Sequence, residues 1–363
     1  MPQINELSTL LNQHFKWNKA KMDCFCGMQI GLIKARSINL SKIANAFPSQ
    51  AESDSRYRRM QRFIHDYPIN FDTVAWFMMK LFNFLNEPFY ITLDRTNWQW
   101  GEMNINILVL ALVYKGAAIP IYWLVLNKKG NSNTRERIAL MKRFIKQFGK
   151  DKIIAVLADR EFIGESWFKW LKSEGINFHI RVKKDAKVPN SRGEMVQAHV
   201  LFRFLKVGEQ LIIRDARKVT DVPVYLSALR LDDGKLLILG SSQLIEQPLD
   251  AYAKRWEIET LFGCLKGRGF NLEDTRITKL IRIKRLLVVA VIAFAWAHRT
   301  GEWRHENVKP IRIKKTLKRP AKSIFRHGLD WLQDKLQNSV DSLKSFYEKV
   351  FQSIVFKYLC GAR

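Results

Sequence analysis

Two apolar segments of the sequence each end on an Asp-Arg pair. FYITLDRT brings Asp94 to its end, and DKIIAVLADRE brings Asp159 to its end. Short apolar runs rich in β-branched residues predict buried strands. A carboxylate in such a strand must be paired, hydrogen-bonded or metal-bound to offset the cost of burial. The two aspartates are therefore candidate site residues, although Asp159 could instead cap a helix or pair with Arg160.

The elements around these segments alternate between strand and helix. Two strands joined by a tight Lys-Gly turn are predicted at about 104–114 and 119–126, and helices at about 134–148 and 163–174. This order predicts a mixed α/β core. From about residue 176 to 242 the pattern changes to short, alternating β segments separated by turns.

The first 85 residues or so show no convincing strand alternation and predict a small helical domain. Its most basic segment, SDSRYRRMQRFIHDYP, carries Arg56, Arg59 and Arg62. Such arginines could contact the phosphates of a DNA backbone. The alternative is a solvated basic face. The helices are predicted at about 4–14, 20–35, 39–47, 53–66 and 71–85.

Composition favours a nucleic-acid partner. Lys and Arg number 61 against 34 Asp and Glu, which gives a formal net charge of +27 on 363 residues. Hydrophobic residues at 47% are enough for a sizeable core and exclude a wholly disordered chain. Four scattered cysteines predict free thiols in a reducing cytoplasm. The longest apolar run, at 286–297, is shorter than the ~20 residues that cross a bilayer, so no membrane anchor is expected.

The segment YAKRWEIETLFGCLK predicts one amphipathic helix. At ~100° per residue, its main polar residues fall within one sector of roughly 60°. They are Tyr252, Arg255, Glu259 and Lys266, with Trp256 along the edge. The opposite side is apolar and should face a core. A carboxylate between two permanent cations suits a site for a polyanion and a metal, whereas the alternative is a surface helix with solvated charges.

The spacing of these polar residues is more specific than their composition. Tyr, Arg three residues on, Glu four further and Lys seven further match a Y-(2)-R-(3)-E-(6)-K signature. The chain thereby resembles the insertion-sequence-four family of bacterial DDE transposases. The segments that end in LDRT and ADRE also resemble the corresponding motifs of that family.

The resemblance implies a ribonuclease-H-like catalytic core with an inserted β subdomain, a helical N-terminal DNA-binding domain and a helical C-terminal region. The expected domains are 1–87, 88–300 with the β insertion at about 188–243, and 301–363 with a basic linker. Within the insertion, alternation predicts that VLFRFLKV is a strand. A C-terminal helix is expected at about 328–359, where heptad-like apolar residues suit self-association or intramolecular packing.

The resemblance also implies that Asp94, Asp159 and Glu259 are the catalytic DDE carboxylates. Three carboxylates on separate elements can hold two Mg²⁺ ions about 3.5–4 Å apart, with Mn²⁺ able to substitute. One ion would activate water or a 3′-hydroxyl, and the other would stabilise the leaving oxygen. The expected DNA contacts are Tyr252, Arg255, Trp256, Lys266, Arg56, Arg59 and Arg62.

The implied activity is cut-and-paste transposition by a homodimer. The dimer would bind the inverted repeats at the transposon ends, cleave them, release the element through hairpin intermediates and join it to double-stranded target DNA. The implied location is the bacterial cytoplasm, on the nucleoid when DNA is bound.

Hairpin formation in this family uses aromatic platforms for a flipped base, one of them a tryptophan near the β insertion. This chain has no Trp between Trp170 and Trp256. Any aromatic face can stack a base, so Phe202, Phe204, Tyr225 and Trp256 are the candidates. Trp256 is favoured because it lies one helical turn before Glu259. The alternation of Phe202 and Phe204 indicates packing in a core.

Two other functions share parts of this pattern. A metal-dependent nuclease or resolvase of the same fold would need the carboxylates but not the Tyr/Arg/Lys stripe. A DNA-binding protein without catalysis would be expected to lack a carboxylate, and none is missing from the pattern.

Overall fold

The computed structural model describes residues 2–316 and 318–338. These residues divide into two compact units. Unit 1 takes in the residues up to 82, residues 98–105 and those from 261 onward, and unit 2 takes in 83–97 and 106–260. In the described part of the chain, no helix is both long and apolar enough to cross a membrane.

Helices account for most of unit 1 and flank the strands of unit 2 in the sequence. The helices are α1 (Pro2–Phe15), α2 (Lys19–Ala35), α3 (Leu40–Ala46), α4 (Ser53–Asp66), α5 (Phe71–Leu81), α6 (Thr134–Phe148), α7 (Glu165–Ser173), α8 (Pro248–Ala253), α9 (Trp256–Leu265), α10 (Leu280–Asn307) and α11 (Ile324–Asn338). The five predicted N-terminal helices and the two predicted central helices are confirmed. Asparagine side chains cap α2, α3 and α5 by accepting backbone N–H groups, which explains why these helices begin where they do.

The strands belong mainly to unit 2. They are β1 (Phe89–Trp100), β2 (Met103–Leu112), β3 (Ile119–Leu126), β4 (Ile153–Ala158), β5 (Phe178–Val182), β6 (Lys187–Pro189), β7 (Met195–Gln197), β8 (Gln210–Ile212), β9 (Arg217–Val219), β10 (Val222–Arg230), β11 (Leu236–Ser241), β12 (Ile313–Lys314) and β13 (Arg319–Pro320). The two strands predicted before the first central helix and the turn between them are confirmed.

A central mixed sheet runs in the order β3-β2-β1-β4-β5-β11-β10-β8, and β9 pairs with β10. Strands β1, β4 and β5 are mutually parallel. The pairs β2–β3, β5–β11, β10–β11 and β8–β10 are antiparallel. Apolar residues on β1, β2, β4 and β5 are buried, so these strands form the core of the unit that carries the aspartates.

Two strand predictions need correction. Strand β1 continues beyond Asp94 to Trp100, because Thr96 and Trp98 alternate with exposed residues and turn inward. VLFRFLKV is not a strand, since Ala198–Phe202 forms a 3₁₀ turn. The Arg230 side chain donates to the Arg203 and Leu205 carbonyls at 3.0 Å each, which satisfies acceptors that strand pairing would otherwise have used.

The predicted C-terminal helix is confirmed only over its first part. Helix α11 begins at Ile324 and ends at Asn338. Leu329, Leu332 and Leu336 are buried within unit 1, so this part of the heptad-like pattern serves intramolecular packing. The rest of the predicted helix, at 339–359, lies outside the described residues.

Candidate active site

Parallel pairing of β1 and β4 brings the two predicted aspartates to one edge of the sheet. Leu93 lies opposite Ala158 in the last pair, so Asp94, within β1, and Asp159, directly after β4, both lie at the carboxyl end of the paired region. Carboxyl ends of parallel strands share one edge, which is where sites form in open α/β sheets. The two Asp-Arg segments are therefore neighbours in space although 65 residues separate their aspartates.

Asp94 is held on both carboxylate oxygens. Its Oδ1 accepts the backbone N–H of Arg95 at 2.7 Å, and its Oδ2 accepts from Arg255 Nη1 at 3.1 Å. Burial raises the pKa of Asp94 to about 6, and the negative charges of Glu161 and Asp159 act in the same direction. Arg255 and the Arg95 N–H oppose this shift. Asp94 is thus a carboxylate whose charge is costly and which a cation would stabilise.

Asp159 has a less satisfied environment. Arg181 Nη1 lies 3.9 Å from Asp159 Oδ1, which is within ion-pair range but too far for a hydrogen bond. That oxygen is buried and has no hydrogen-bond partner in the described part of the chain. A buried acceptor without a partner costs about 1–3 kcal/mol, so this position would gain from a bound cation.

Arg255 connects the first aspartate to the predicted glutamate. Its Nη1 contacts Asp94 Oδ2 at 3.1 Å and its Nη2 contacts Glu259 Oε1 at 2.5 Å. The Arg255 side chain is only 6% exposed. Burial alone would lower its pKa, but Tyr252, Asp94 and Glu259 together raise it above the usual value. The guanidinium is therefore charged and offsets two carboxylates at once.

The segment that carries Arg255 and Glu259 is not the single helix that the sequence predicts. Helix α8 ends at Ala253 and α9 begins at Trp256. The bonds across the break have the shorter 3₁₀ spacing, from Arg255 N to Tyr252 O and from Ile258 N to Arg255 O. The regular rotation of ~100° per residue is interrupted at this break. Tyr252 and Arg255 are therefore buried and do not lie on one exposed polar face of a helix.

Glu257 fixes the start of α9 against the turn between β2 and β3. Its carboxylate accepts the N–H groups of Tyr114 at 2.5 Å and Gly116 at 2.9 Å. Its backbone carbonyl accepts the N–H of Ala118 at 2.9 Å. These bonds anchor α9 at Glu257, two residues before Glu259. Sequence analysis missed this role because the partners lie about 140 residues away.

A second ion pair, between Arg95 and Glu161, was also missed. Arg95 Nε and Nη2 contact the two Glu161 carboxylate oxygens at 2.7 and 2.8 Å. Arg95 Nη1 also donates to Asn106 Oδ1 at 2.9 Å, and buried Arg137 donates to the Glu161 carbonyl at 2.9 Å. This bidentate pair ties the residue after Asp94 to the loop after β4. The available signal was Glu161, two residues after Asp159 in ADRE.

The other predicted DNA contacts of this segment are placed in three different environments. Tyr252 is buried beside Leu239 and Leu249, and burial raises its pKa to about 12. Trp256 is 61% exposed, and the Arg255 guanidinium lies 5.5 Å from its ring centroid. Lys266 belongs to unit 1 and pairs with Glu273 at 2.7 Å.

The three arginines predicted to contact DNA lie together on α4 in unit 1. Arg56 Nη1 donates to the Phe47 carbonyl and Arg59 Nη2 to the Ala20 carbonyl, each at 3.0 Å. Arg62 is exposed. Two of the three therefore also hold neighbouring backbone in place, a contribution that the sequence pattern does not reveal.

The donor set suits a divalent cation chemically. Asp94, Asp159 and Glu259 offer only oxygen ligands, which hard cations prefer, and one Asp159 oxygen is buried without a hydrogen-bond partner among the described residues. In the same part of the chain, no three acidic, histidine or cysteine side chains converge closely enough to hold an ion. Asp94 and Glu259 each pair instead with Arg255.

Fold and site together define a mixed α/β protein with acidic side chains at one sheet edge. The model of the Transposase DDE domain family matches residues 92–296, which is more than half of the chain and includes all three carboxylates. This chain belongs to that family and is therefore a DDE transposase by descent.

The other comparisons with known proteins add no family assignment. A search of curated proteins finds no significant match. Among solved structures, a cryo-EM structure of the piggyBac transposase synaptic complex with hairpin DNA is similar over 98% of this chain and 83% of that chain. The sequence identity is 12% and the TM-score is 0.43, which is too low to establish a shared fold.

We expect Glu161→Gln to destabilise unit 2, because it removes the charge from a bidentate, largely buried ion pair. Hydrogen bonds to charged groups contribute about 1.5–3 kcal/mol each, so the midpoint of urea unfolding should fall clearly. Glu165→Gln is the matched control, since that glutamate forms an exposed ion pair with Lys169 and should change stability by less than about 1 kcal/mol. Equal midpoints for the two variants would contradict a structural role for the Arg95–Glu161 pair.

Proposed function

We propose that this chain is a cut-and-paste transposase of the insertion-sequence-four family. It cleaves double-stranded DNA at the inverted repeats of a transposon and joins the ends to target DNA. The observation that carries the proposal is the Arg255 guanidinium that links Asp94 to Glu259 beside Asp159. Two aspartates from the sheet, together with the glutamate and the buried arginine of the Y-R-E-K segment, suit phosphodiester chemistry better than a scaffold role.

The proposed architecture is a ribonuclease-H-like core. Three parallel strands, β1, β4 and β5, with the β2–β3 hairpin beside β1 support it. The proposed domains are a helical DNA-binding region at 1–87, a catalytic region at 88–300 with an insertion at about 188–243, and a C-terminal region from 301. Two copies of the chain would pair two transposon ends.

We assign the divalent cation site to Asp94, Asp159 and Glu259, with Mg²⁺ as the physiological ion and Mn²⁺ as a substitute. A divalent cation bound there would supply Lewis-acid activation of the phosphodiester and of the attacking hydroxyl. Before DNA binds, Arg255 offsets the charges of Asp94 and Glu259. Its planar fork can also bind two oxygens of a phosphate, so the same side chain can orient the scissile group.

The remaining residues of the segment have distinct proposed roles. Tyr252 is buried next to Arg255, with its ring centroid 5.7 Å from the guanidinium, and positions that side chain instead of contacting DNA from an open surface. Lys266 provides a cation for a DNA phosphate in addition to its pairing with Glu273. On α4, the residues proposed to bind the backbone of the transposon end are Arg56, Arg59 and Arg62.

Removal of a carboxylate should separate chemistry from binding. We expect Asp94→Asn and Glu259→Gln each to reduce Mg²⁺-dependent cleavage of end DNA by about a thousandfold, or roughly 4 kcal/mol of barrier. DNA binding should persist, because it depends on cations at other positions. Asp151→Asn, at an exposed aspartate of the same unit, is the control and should cleave normally. Cleavage retained by either site variant would refute the assignment.

Hairpin formation requires an exposed aromatic face, and the structure separates the four candidates by exposure. Phe202 is fully buried, which agrees with the predicted core position, and Tyr225 is half-buried. Phe204 is 65% exposed, so the expectation that it packs in a core is wrong. The reason is the 3₁₀ turn at Ala198–Phe202, which breaks the strand alternation. Trp256, at 61% exposed, lies one turn before Glu259 and is the proposed platform.

Loss of that platform should affect one step selectively. We expect Trp256→Ala to permit first-strand nicking while hairpin closure slows by about tenfold or more, since stacking contributes roughly 1–3 kcal/mol per base. Phe204→Ala is the control, because it removes an equally exposed aromatic residue that does not adjoin Arg255. The two steps are measured on denaturing gels with labelled end DNA. Equal losses of nicking and closure in Trp256→Ala would show that the ring only supports the helix.

A further inference from the structure

A basic groove lies between α2 and α4 in unit 1, bounded at one end by the segment at 47–51. Its volume is about 360 Å³, at the lower end of the ~300–1,000 Å³ typical of ligand sites. Lys21, Arg56, Arg59 and Arg62 line it, and none of the described residues that line it is acidic. We refer to it as the α2–α4 groove.

Two of these cations are held in place by backbone carbonyls of two different segments. Arg56 donates to the Phe47 carbonyl and Arg59 to the Ala20 carbonyl, each through one terminal nitrogen. Fixing these side chains before a ligand binds lowers the entropy cost of binding. Arg56 Nε is buried and has no hydrogen-bond partner in the part of the chain described here, so an acceptor in the groove would satisfy it.

The floor of the groove is apolar and uncharged. Phe47, Phe63 and Cys24 line it and are buried. Burial raises the pKa of Cys24 to about 11, so its thiol carries no charge near neutral pH. An apolar part of a ligand could pack against this floor, which would not repel an anion. The cations and the hydroxyl groups of Ser49 and Ser55 also line the groove.

We propose that the α2–α4 groove binds one sugar-phosphate unit of a DNA strand, with the phosphate among the arginines and the deoxyribose on the apolar floor. A duplex cannot enter a groove of this volume, so only this unit of one strand occupies it and the rest of the duplex stays outside. The inference rests on the proposed function, because it names the place where the N-terminal region holds the transposon end.

Helix α4 supplies matched variants for a test. Arg58 and Arg62 are both exposed on α4, but only Arg62 lines the groove. Ser55 and Gln61 are likewise both exposed, and only Ser55 lines it. Arg62→Ala removes a groove cation, and Ser55→Phe fills the groove without changing its charge. Arg58→Ala and Gln61→Phe are the respective controls.

The experiment measures binding of the full chain to a fluorescein-labelled duplex that carries the inverted repeats flanking the gene. We expect Arg62→Ala and Ser55→Phe each to raise Kd about tenfold, and both controls to raise it less than about threefold. The plot of log association constant against log salt concentration should become less steep by about 0.9 in Arg62→Ala, which is the contribution of one phosphate contact. Equal losses in Arg58→Ala and Arg62→Ala, or no loss in Ser55→Phe, would overturn the proposal.

Two further results separate the groove from alternatives. If inorganic phosphate raises the Tm of the wild type but not of Arg62→Ala, while both bind DNA equally, the groove takes a free anion and the DNA assignment fails. Groove-dependent binding by a wild type that never cleaves would support the groove and count against the proposed catalytic function.

Discussion

Two carboxylates at the end of the paired region of neighbouring parallel strands repel each other, and the arrangement of the candidate site offsets that repulsion. Asp94 and Asp159 are adjacent because the register of β1 with β4 allows no other placement. Burial of Asp94 is the largest cause of its raised pKa, and the charges of Glu161 and Asp159 raise it further. Arg255 is the compensating charge, and it is shared with Glu259. A cation at this edge would relieve the same repulsion, which is why a site for metal-dependent chemistry fits here.

The surrounding contacts serve to place Arg255 and Glu259 correctly. Glu257 holds the start of α9 through two backbone N–H groups of the β2–β3 turn. The break between α8 and α9 turns Arg255 inward and leaves Trp256 exposed. Groups next to reacting atoms need to be held in place before substrate arrives, because reorganisation during the reaction raises the barrier. In the proposed site, the local departure from ideal helix geometry would hold both side chains in place before DNA binds.

Local patterns predicted much of this structure. The two strand–Asp segments and the N-terminal helices could be predicted because apolar periodicity is a property of neighbouring residues. The Arg95–Glu161 pair could not, since it joins side chains 66 residues apart. VLFRFLKV was mistaken for a strand because alternation does not show whether strand partners or Arg230 satisfy its carbonyls. The helix break likewise lies next to Glu257, whose hydrogen-bond partners are about 140 residues away in the sequence.

The central claim is that Asp94, Asp159 and Glu259 hold a divalent cation, and iron-mediated backbone cleavage tests it without relying on DNA turnover. Fe²⁺ with ascorbate and peroxide generates radicals at a bound ion, and mass spectrometry locates the cuts in the chain. Our account predicts cuts near residues 94, 159 and 259 that excess Mg²⁺ suppresses and that Asp94→Asn lacks. Cuts confined to other segments, or the same cuts in Asp94→Asn, would contradict it.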